Sequence, residues 1–248
     1  NIDLLARNVT ENASRTGEHY IAESRAQLRS MFKAAAGAGF IVGFMAMFKI
    51  LLGYLRAAPL VEAFLFSMNY SLGFMLVHML HLTIATKQPA MTAQRIAAGL
   101  HSPDGRSIDF DRMAELVNKV FRTQIVAVLG NVLLAFPTAL LIAIAYQQMM
   151  GKHLVSPDKA LHLLHDIDPF GTPALLYAAI AGVWLFVAGL ISGYYDNKAL
   201  YTRMGQRVRQ LRWLGTLLGI ERRDRLSRYV ENNLGGLMGN FFFGILLG

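Results

Sequence analysis

The sequence predicts an all-α fold, a polytopic transmembrane helical bundle, on three observations. Its residues are 54% hydrophobic and only 16% charged, where globular domains average about 45–50% and about 25%. The apolar excess falls in long blocks, which separates a membrane chain from one with a large core. Lys and Arg are abundant in every second segment between those blocks, the alternation that membrane topology imposes.

Five apolar blocks run from about Ala34 to Leu55, Leu60 to Ala85, Ile125 to Met149, Pro173 to Tyr195 and Leu234 to Gly248. The first four are long enough for the roughly 20 residues that cross a hydrocarbon core. The fifth, 15 residues long, reads as the start of a further crossing, so about five crossings are expected, the last truncated. The chain opens at Asn1 without a signal-peptide pattern and stops inside an apolar run. Both ends therefore read as cuts in a longer protein.

Of the 24 Lys and Arg, 20 lie in residues 1–33, 86–124 and 196–233. The two remaining connections hold only Arg56, and Lys152 with Lys159, while Lys49 lies within the first block. This split places the amino end and the three basic segments in the cytoplasm of a bacterial inner-membrane, multi-pass protein. It also accounts for the net charge of +8 through topology. The expected partners are the lipid bilayer and anionic lipid at the inner leaflet. Self-association into a homo-oligomer is compatible with this reading, and specific nucleic-acid recognition is not expected from it.

The organisation follows. Residues 1–33 form a cytoplasmic helical segment, 34–85 a first transmembrane pair and 86–124 a cytoplasmic helical loop. In that loop, His101-Ser102-Pro103-Asp104-Gly105 signals a turn. From Asp109 onward, Phe110, Met113, Val117 and Val120 share a helical face. Residues 125–195 form a second pair with a short external helix at about 157–167, where Ser156-Pro157 reads as an N-cap followed by Pro at the first helical position. Residues 196–233 are a basic interfacial segment with Trp213, Leu214, Leu217 and Leu218 clustered, and 234–248 begin a further crossing. Small residues recur at spacing four in Ala35/Gly39/Gly43, Gly189/Gly193 and Asn240/Gly244/Gly248, which lets helices approach closely in lipid.

Polar side chains at membrane depth are the candidates for function, because burying them there is costly. His78 and His81, three apart in the second block, would share one helix face. Two imidazoles could ligate a metal or relay protons, or simply hydrogen-bond neighbouring helices. Asn69, Asn131 and Asp196 complete a candidate polar intramembrane site, with Asp196 at the inner face as a further ligand. Pro137 should kink the third crossing or free a carbonyl. Lys49 and Glu62 are the expected structural ion pair. Tyr194, Tyr195, Asp196 and Asn197 read as an aromatic belt with a polar cap. His162, His165 and Asp166 read as a solvated face of the external helix, and Glu18-His19-Tyr20 matches no motif. With no Cys, disulfides, thiolate zinc sites and Cys nucleophiles are excluded. Phosphate-binding loops, nucleophile elbows and His-Glu-x-x-His helices are absent. No cofactor is specified and no catalytic residue is assigned.

Three stretches carry a resemblance: Arg15-Thr16-Gly17-Glu18-His19-Tyr20-Ile21, Ala85-Thr86-Lys87-Gln88-Pro89-Ala90-Met91-Thr92, and Ser192-Gly193-Tyr194-Tyr195-Asp196-Asn197. With their spacing around the crossings, they resemble a Gram-negative family of large membrane proteins catalogued as site-specific recombinases, over most of the chain. The resemblance implies a longer protein with a soluble amino-terminal region, and an activity in DNA strand exchange. Three functional expectations result. Read from the residues, the leading one is a non-enzymatic role in transport or envelope maintenance. The second is a metal-dependent or proton-relay membrane protein using His78 and His81. The third, which the resemblance implies, is DNA site-specific recombination.

Overall fold

Close packing of helices in lipid requires small side chains where backbones meet, and the glycines of this chain mark those meetings. The computed structural model describes residues 21–85 and 110–248. Residues 1–20 of the expected amino-terminal helical segment, with the Glu18-His19-Tyr20 triplet, and the turn around Pro103 lie outside the described residues.

Among the described residues all regular structure is helical: α1 Arg25–Gly53, α2 Pro59–Met79, α3 Phe110–Met150, α4 Pro157–Asp166, α5 Ala174–Tyr201, α6 Met204–Gln210, α7 Arg212–Leu218 and α8 Ile220–Leu247. Local chemistry sets several of the starts. Ser24 accepts from the Gln27 amide while the Gln27 side chain accepts from the Ser24 amide, a reciprocal cap on α1. Pro59 opens α2. Ser156 caps α4 ahead of Pro157, as the sequence predicts.

Four helices (α1, α2, α3 from Met113, and α5) are long and apolar enough to cross a membrane. Their large apolar side chains face outward, among them Phe40, Phe48, Phe64, Phe136 and Phe186, as lipid-facing residues must. The expected fifth crossing takes a different form. The apolar run from Leu234 is the second half of α8, whose first half carries Arg222, Arg223, Arg225 and Arg228. The last part of the basic segment, from Ile220, and the last apolar block are thus one continuous helix.

Helix α3 packs on α1, α1 on α2, α2 on α8, and α8 on α5. A Cβ on Gly39 would meet the Asn131 backbone, and one on Gly43 would meet Thr138, so α1 and α3 run parallel. Gly73 lies against Met45, and Tyr70 against Lys49, so α1 and α2 are antiparallel. Gly236 meets His78, Gly244 meets Ser71 and Gly248 meets Ser67, which sets α8 antiparallel to α2. Gly235 meets Asp196 and Gly239 meets Ser192, which sets it antiparallel to α5. Glycine faces one residue apart therefore let α8 wedge between two partners. Gly189 is the exception to the spacing-four expectation, since a Cβ there would meet nothing within 4 Å.

Two further boundaries differ from the sequence reading. The second apolar block leaves the helix after Met79, and Thr83, Ile84 and Ala85 run back, buried, between α1 and α3. Irregular backbone at such depth requires protein partners for its polar groups, and Asn131 supplies them. Helix α3 continues unbroken across Pro137. The basic stretch after α5 is divided into α6, α7 and the start of α8 by Arg203 (φ 49°), the extended Leu211 (ψ 96°) and Gly219 (φ 81°).

Candidate functional site

The residues singled out from the sequence separate into two groups, one spent on helix packing and one gathered around a cavity. Asn131 belongs to the first. Its Nδ2 donates to the Ala35 carbonyl at 2.7 Å and to that of Thr83 at 3.0 Å, and its Oδ1 accepts from the Ala85 amide at 2.8 Å. Asn69 donates to the Met45 carbonyl at 2.9 Å, across the α1–α2 contact. Both amides saturate backbone groups, which is packing chemistry.

Lys49 is satisfied differently from expectation. Its Nζ donates to the Tyr70 hydroxyl at 3.1 Å and lies 5.3 Å from the Phe66 ring centroid and 5.2 Å from that of Tyr70. No ion pair joins it to Glu62 among the described residues. The antiparallel register explains this: Glu62 lies beside Gly53, a turn beyond Lys49 on α1 and two turns from Tyr70 on α2. A cation over aromatic faces is a stable alternative at this depth.

The two histidines also part. Helix α2 ends at Met79, and His81 adopts a left-handed φ of 54° with its side chain exposed. The helical spacing that would place both rings on one face therefore stops between them. His78 instead turns towards α8, against Gly236. The two rings therefore do not share a helix face, contrary to the sequence reading.

His78 lines a cavity of about 160 Å³ where the basic ends of α2, α5 and α8 converge. Asp196 and Ser192 line it from α5, and Asn232, Asn233 and Asn240 from α8. The sequence reason is local. Gly235 and Gly236 lack Cβ atoms where one would strike the Asp196 carboxyl and the next would strike the His78 ring. Each glycine thus admits a polar side chain from a different neighbouring helix. Asp196 Oδ1 accepts from the Gly235 amide at 3.0 Å. Asn233 and Asn240 donate their Nδ2 groups to the Tyr229 and Gly236 carbonyls of their own helix, at 3.0 and 2.7 Å. Sequence reasoning named His78 and Asp196 but missed Ser192 and the asparagines. The run Asn232-Asn233-Leu234-Gly235-Gly236 with Asn240 one turn on is the signal that could have found them.

Beside the cavity, Tyr194 and Tyr195 meet edge to face with ring centroids 5.3 Å apart, and Tyr195 stacks on Phe242. Lys198 Nζ lies 5.5 Å from both tyrosine rings. Beyond it, seven arginines (203, 207, 209, 212, 222, 225 and 228) are exposed. Their scaffold is fixed: Ser227 is buried and donates to the Gly205 carbonyl at 2.6 Å, locking α6 onto α8. At the opposite end of the bundle, Tyr54 donates to the Leu154 carbonyl at 2.6 Å. There His162 and His165 are exposed on α4, with His162 3.8 Å from Asp166. The Phe170 and Gly171 amides hold the Asp168 carboxyl below its ordinary value.

A family model described as site-specific recombinase matches residues 1–248. No curated protein and no solved structure matches the chain. The family match overturns the expectation of a transport or envelope-maintenance role, which rested on apolar composition alone. Composition reports the solvent of a chain and not its task.

Proposed function

The chain belongs to the site-specific recombinase family, and from that membership we propose that it is a membrane-held part of a DNA site-specific recombination protein. In this reading it spans a bacterial inner membrane with its basic end in the cytoplasm, the side that Lys and Arg excess favours. The observation that carries the proposal is the surface of α6, α7 and the first half of α8. Between residues 203 and 228 it holds eight arginines against the acids Glu221 and Asp224, and seven of the eight are exposed. The ion pairs formed there, Arg223 with Asp224 and Arg225 with Glu221, offset only part of that charge.

Such a surface suits duplex phosphates, which bind Arg by charge and by paired hydrogen bonds. It carries no feature that reads base edges, so its contribution is to hold DNA at the membrane and not to select a sequence. Exposed Trp213, Leu217 and Ile220 in the same segment seat it at the lipid interface, where anionic headgroups compete for the same arginines. Tyrosine recombination needs an Arg and His cluster around a nucleophilic hydroxyl. Tyr194 and Tyr195 are instead packed against each other, Phe242 and Lys198, so the strand-cleaving group is assigned to neither.

The test uses the full protein in nanodiscs of neutral lipid with labelled duplex. Binding should fall steeply with salt, and changing Arg207, Arg209, Arg222 and Arg225 to Gln should reduce the log–log salt slope by roughly one for each phosphate no longer neutralised. In cells, sequencing of rearrangement junctions should show fewer events in the quadruple variant. Absence of duplex binding at low salt, together with unchanged rearrangement on deletion of the gene, would overturn the proposal.

A further inference from the structure

We infer that α4 is an interfacial membrane helix, seated with its apolar half in the lipid surface at the end of the bundle away from the arginines. This inference stands apart from the DNA reading and uses different residues.

The sequence divides α4 lengthwise. At 3.6 residues per turn, Ala160, Leu161, Leu163, Leu164 and Ile167 fall on one half, the last of them at the C-cap. Asp158, Lys159, His162, His165 and Asp166 fall on the other half. A helix so divided ordinarily turns its apolar side to a core. Here no residue of α4 is buried, and it has no substantial contact with another helix among the described residues. Leu161, Leu164 and Ile167 are 67%, 63% and 70% exposed. A helix of 10 residues is also short for water, where isolated helices below about 12–15 residues are marginal. The Ser156 cap serves only the first turn. The apolar half therefore needs a partner to hold the helix.

Position decides the partner. Helix α4 lies between α3 and α5, joined to them by residues 151–156 and 167–173. The first connection is pinned to the bundle, because Leu154 is buried and its carbonyl accepts from Tyr54 at the end of α1. Exposed apolar side chains continue along the chain on both sides. Met149 and Met150 end α3, and Leu175 and Leu176 begin α5. Both helices are among the four that can cross a membrane, so the apolar half of α4 extends a lipid-facing surface. The second connection adds an aromatic anchor. Asp168 Oδ1 accepts from the Phe170 amide at 3.0 Å, and Thr172 donates to the Asp168 carbonyl at 2.6 Å. This closed turn leaves Phe170 96% exposed. Charge does not select the lipid. Lys152 and Lys159 stand against Asp158, Asp166 and Asp168, whereas helices drawn to anionic headgroups are rich in Lys and Arg on their polar face. Apolar burial drives the seating, and a neutral bilayer suffices.

The experiment is nitroxide collision accessibility, read by electron paramagnetic resonance on the full protein in phosphatidylcholine vesicles. The chain has no Cys. Once any cysteine outside these residues is replaced, labels on Leu164→Cys and His162→Cys report the two halves of α4 separately. Oxygen concentrates in the bilayer, and a neutral nickel chelate stays in water. The ratio of oxygen to nickel collisions should be several-fold higher for Leu164→Cys than for His162→Cys. Adding phosphatidylglycerol should leave both ratios unchanged. Equal, nickel-dominated ratios would put all of α4 in water. Shielding of the Leu164→Cys label from both reagents would mean that protein, a second copy included, covers the apolar half. Either result would overturn the inference, as would seating that appears only with phosphatidylglycerol. Changing Leu161→Ser together with Ile167→Ser should lower the Leu164→Cys ratio towards that of His162→Cys, and an unchanged ratio would count equally against it. Should that variant fail to fold, the comparison of the two single labels decides alone.

Discussion

Asn131→Ala tests the claim that this buried amide is a structural staple. The side chain makes three hydrogen bonds, to the Ala35 and Thr83 carbonyls and from the Ala85 amide. Ala85 is 5% exposed and Thr83 8%, so water cannot replace the missing partner. Orphaning the Ala85 amide costs about 1–3 kcal/mol. The two bonds donated to carbonyls add roughly 0.6 kcal/mol each, the average measured between membrane helices. Together these give a loss of about 2–4 kcal/mol. Asn131→Asp discriminates further, because it keeps the acceptor for Ala85 but sets a negative charge against two carbonyl oxygens. It should be at least as damaging as alanine. The assay is reversible unfolding in mixed micelles, paired with thiol labelling of a cysteine at Ile84, which should become accessible in the variants. A loss below about 1 kcal/mol with Ile84 still protected would refute the staple and return Asn131 to the functional candidates.

Three other outcomes are expected. Gly244→Ala puts a Cβ onto the Ser71 backbone and should destabilise the α2–α8 contact by at least about 2 kcal/mol, whereas Gly189→Ala, with nothing within 4 Å, should gain about 0.5–1 kcal/mol; equal effects in the same unfolding assay would contradict the packing. Cysteines at Ser156 and Thr216 should label from opposite sides of intact cells, and labelling of both from one side would remove the proposed orientation. The Asp168 carboxyl is held below its ordinary value of 3.8 by the Phe170 and Gly171 amides. A depressed folded value means its contribution is complete above that ordinary value and lost as pH falls through the lower, folded one. Protection factors at those two amides, rates divided by the intrinsic rate at each pH, should therefore fall only under strong acid, and a loss of protection near neutral pH would argue against the contact.

The membrane-spanning helices were legible because lipid imposes a length and a polarity that composition alone reveals. The start of α4 was equally legible, because the Ser156 cap and Pro157 at the first helical position are local chemistry. What was not legible depends on tertiary contact. Nothing within residues 80–85 announces that the helix ends at Met79, because the groups that make an irregular segment stable at depth belong to Asn131, on another helix. Hydropathy likewise divides α8 into a basic stretch and an apolar block, although its backbone is continuous.

The cavity shows the same limit at the scale of a site. His78 and Asp196 are 118 positions apart in sequence, and each has a bland local reading as a polar residue near a helix end. They meet because α8 enters between α2 and α5 with adjacent glycines turned to opposite neighbours. An alanine at either position would occupy the space of a carboxyl or an imidazole. Gly235→Ala and Gly236→Ala should therefore differ in kind from Gly244→Ala. In the first two the displaced atoms are side chains that can swing aside, at the expense of the cavity. In the third they are backbone, and the helix pair itself must separate. Retained folding with a lowered melting midpoint in Gly235→Ala, against failure to fold in Gly244→Ala, is the expected pattern, read by thermal unfolding. Failure to fold in all three would mean that the glycines at the cavity serve packing alone.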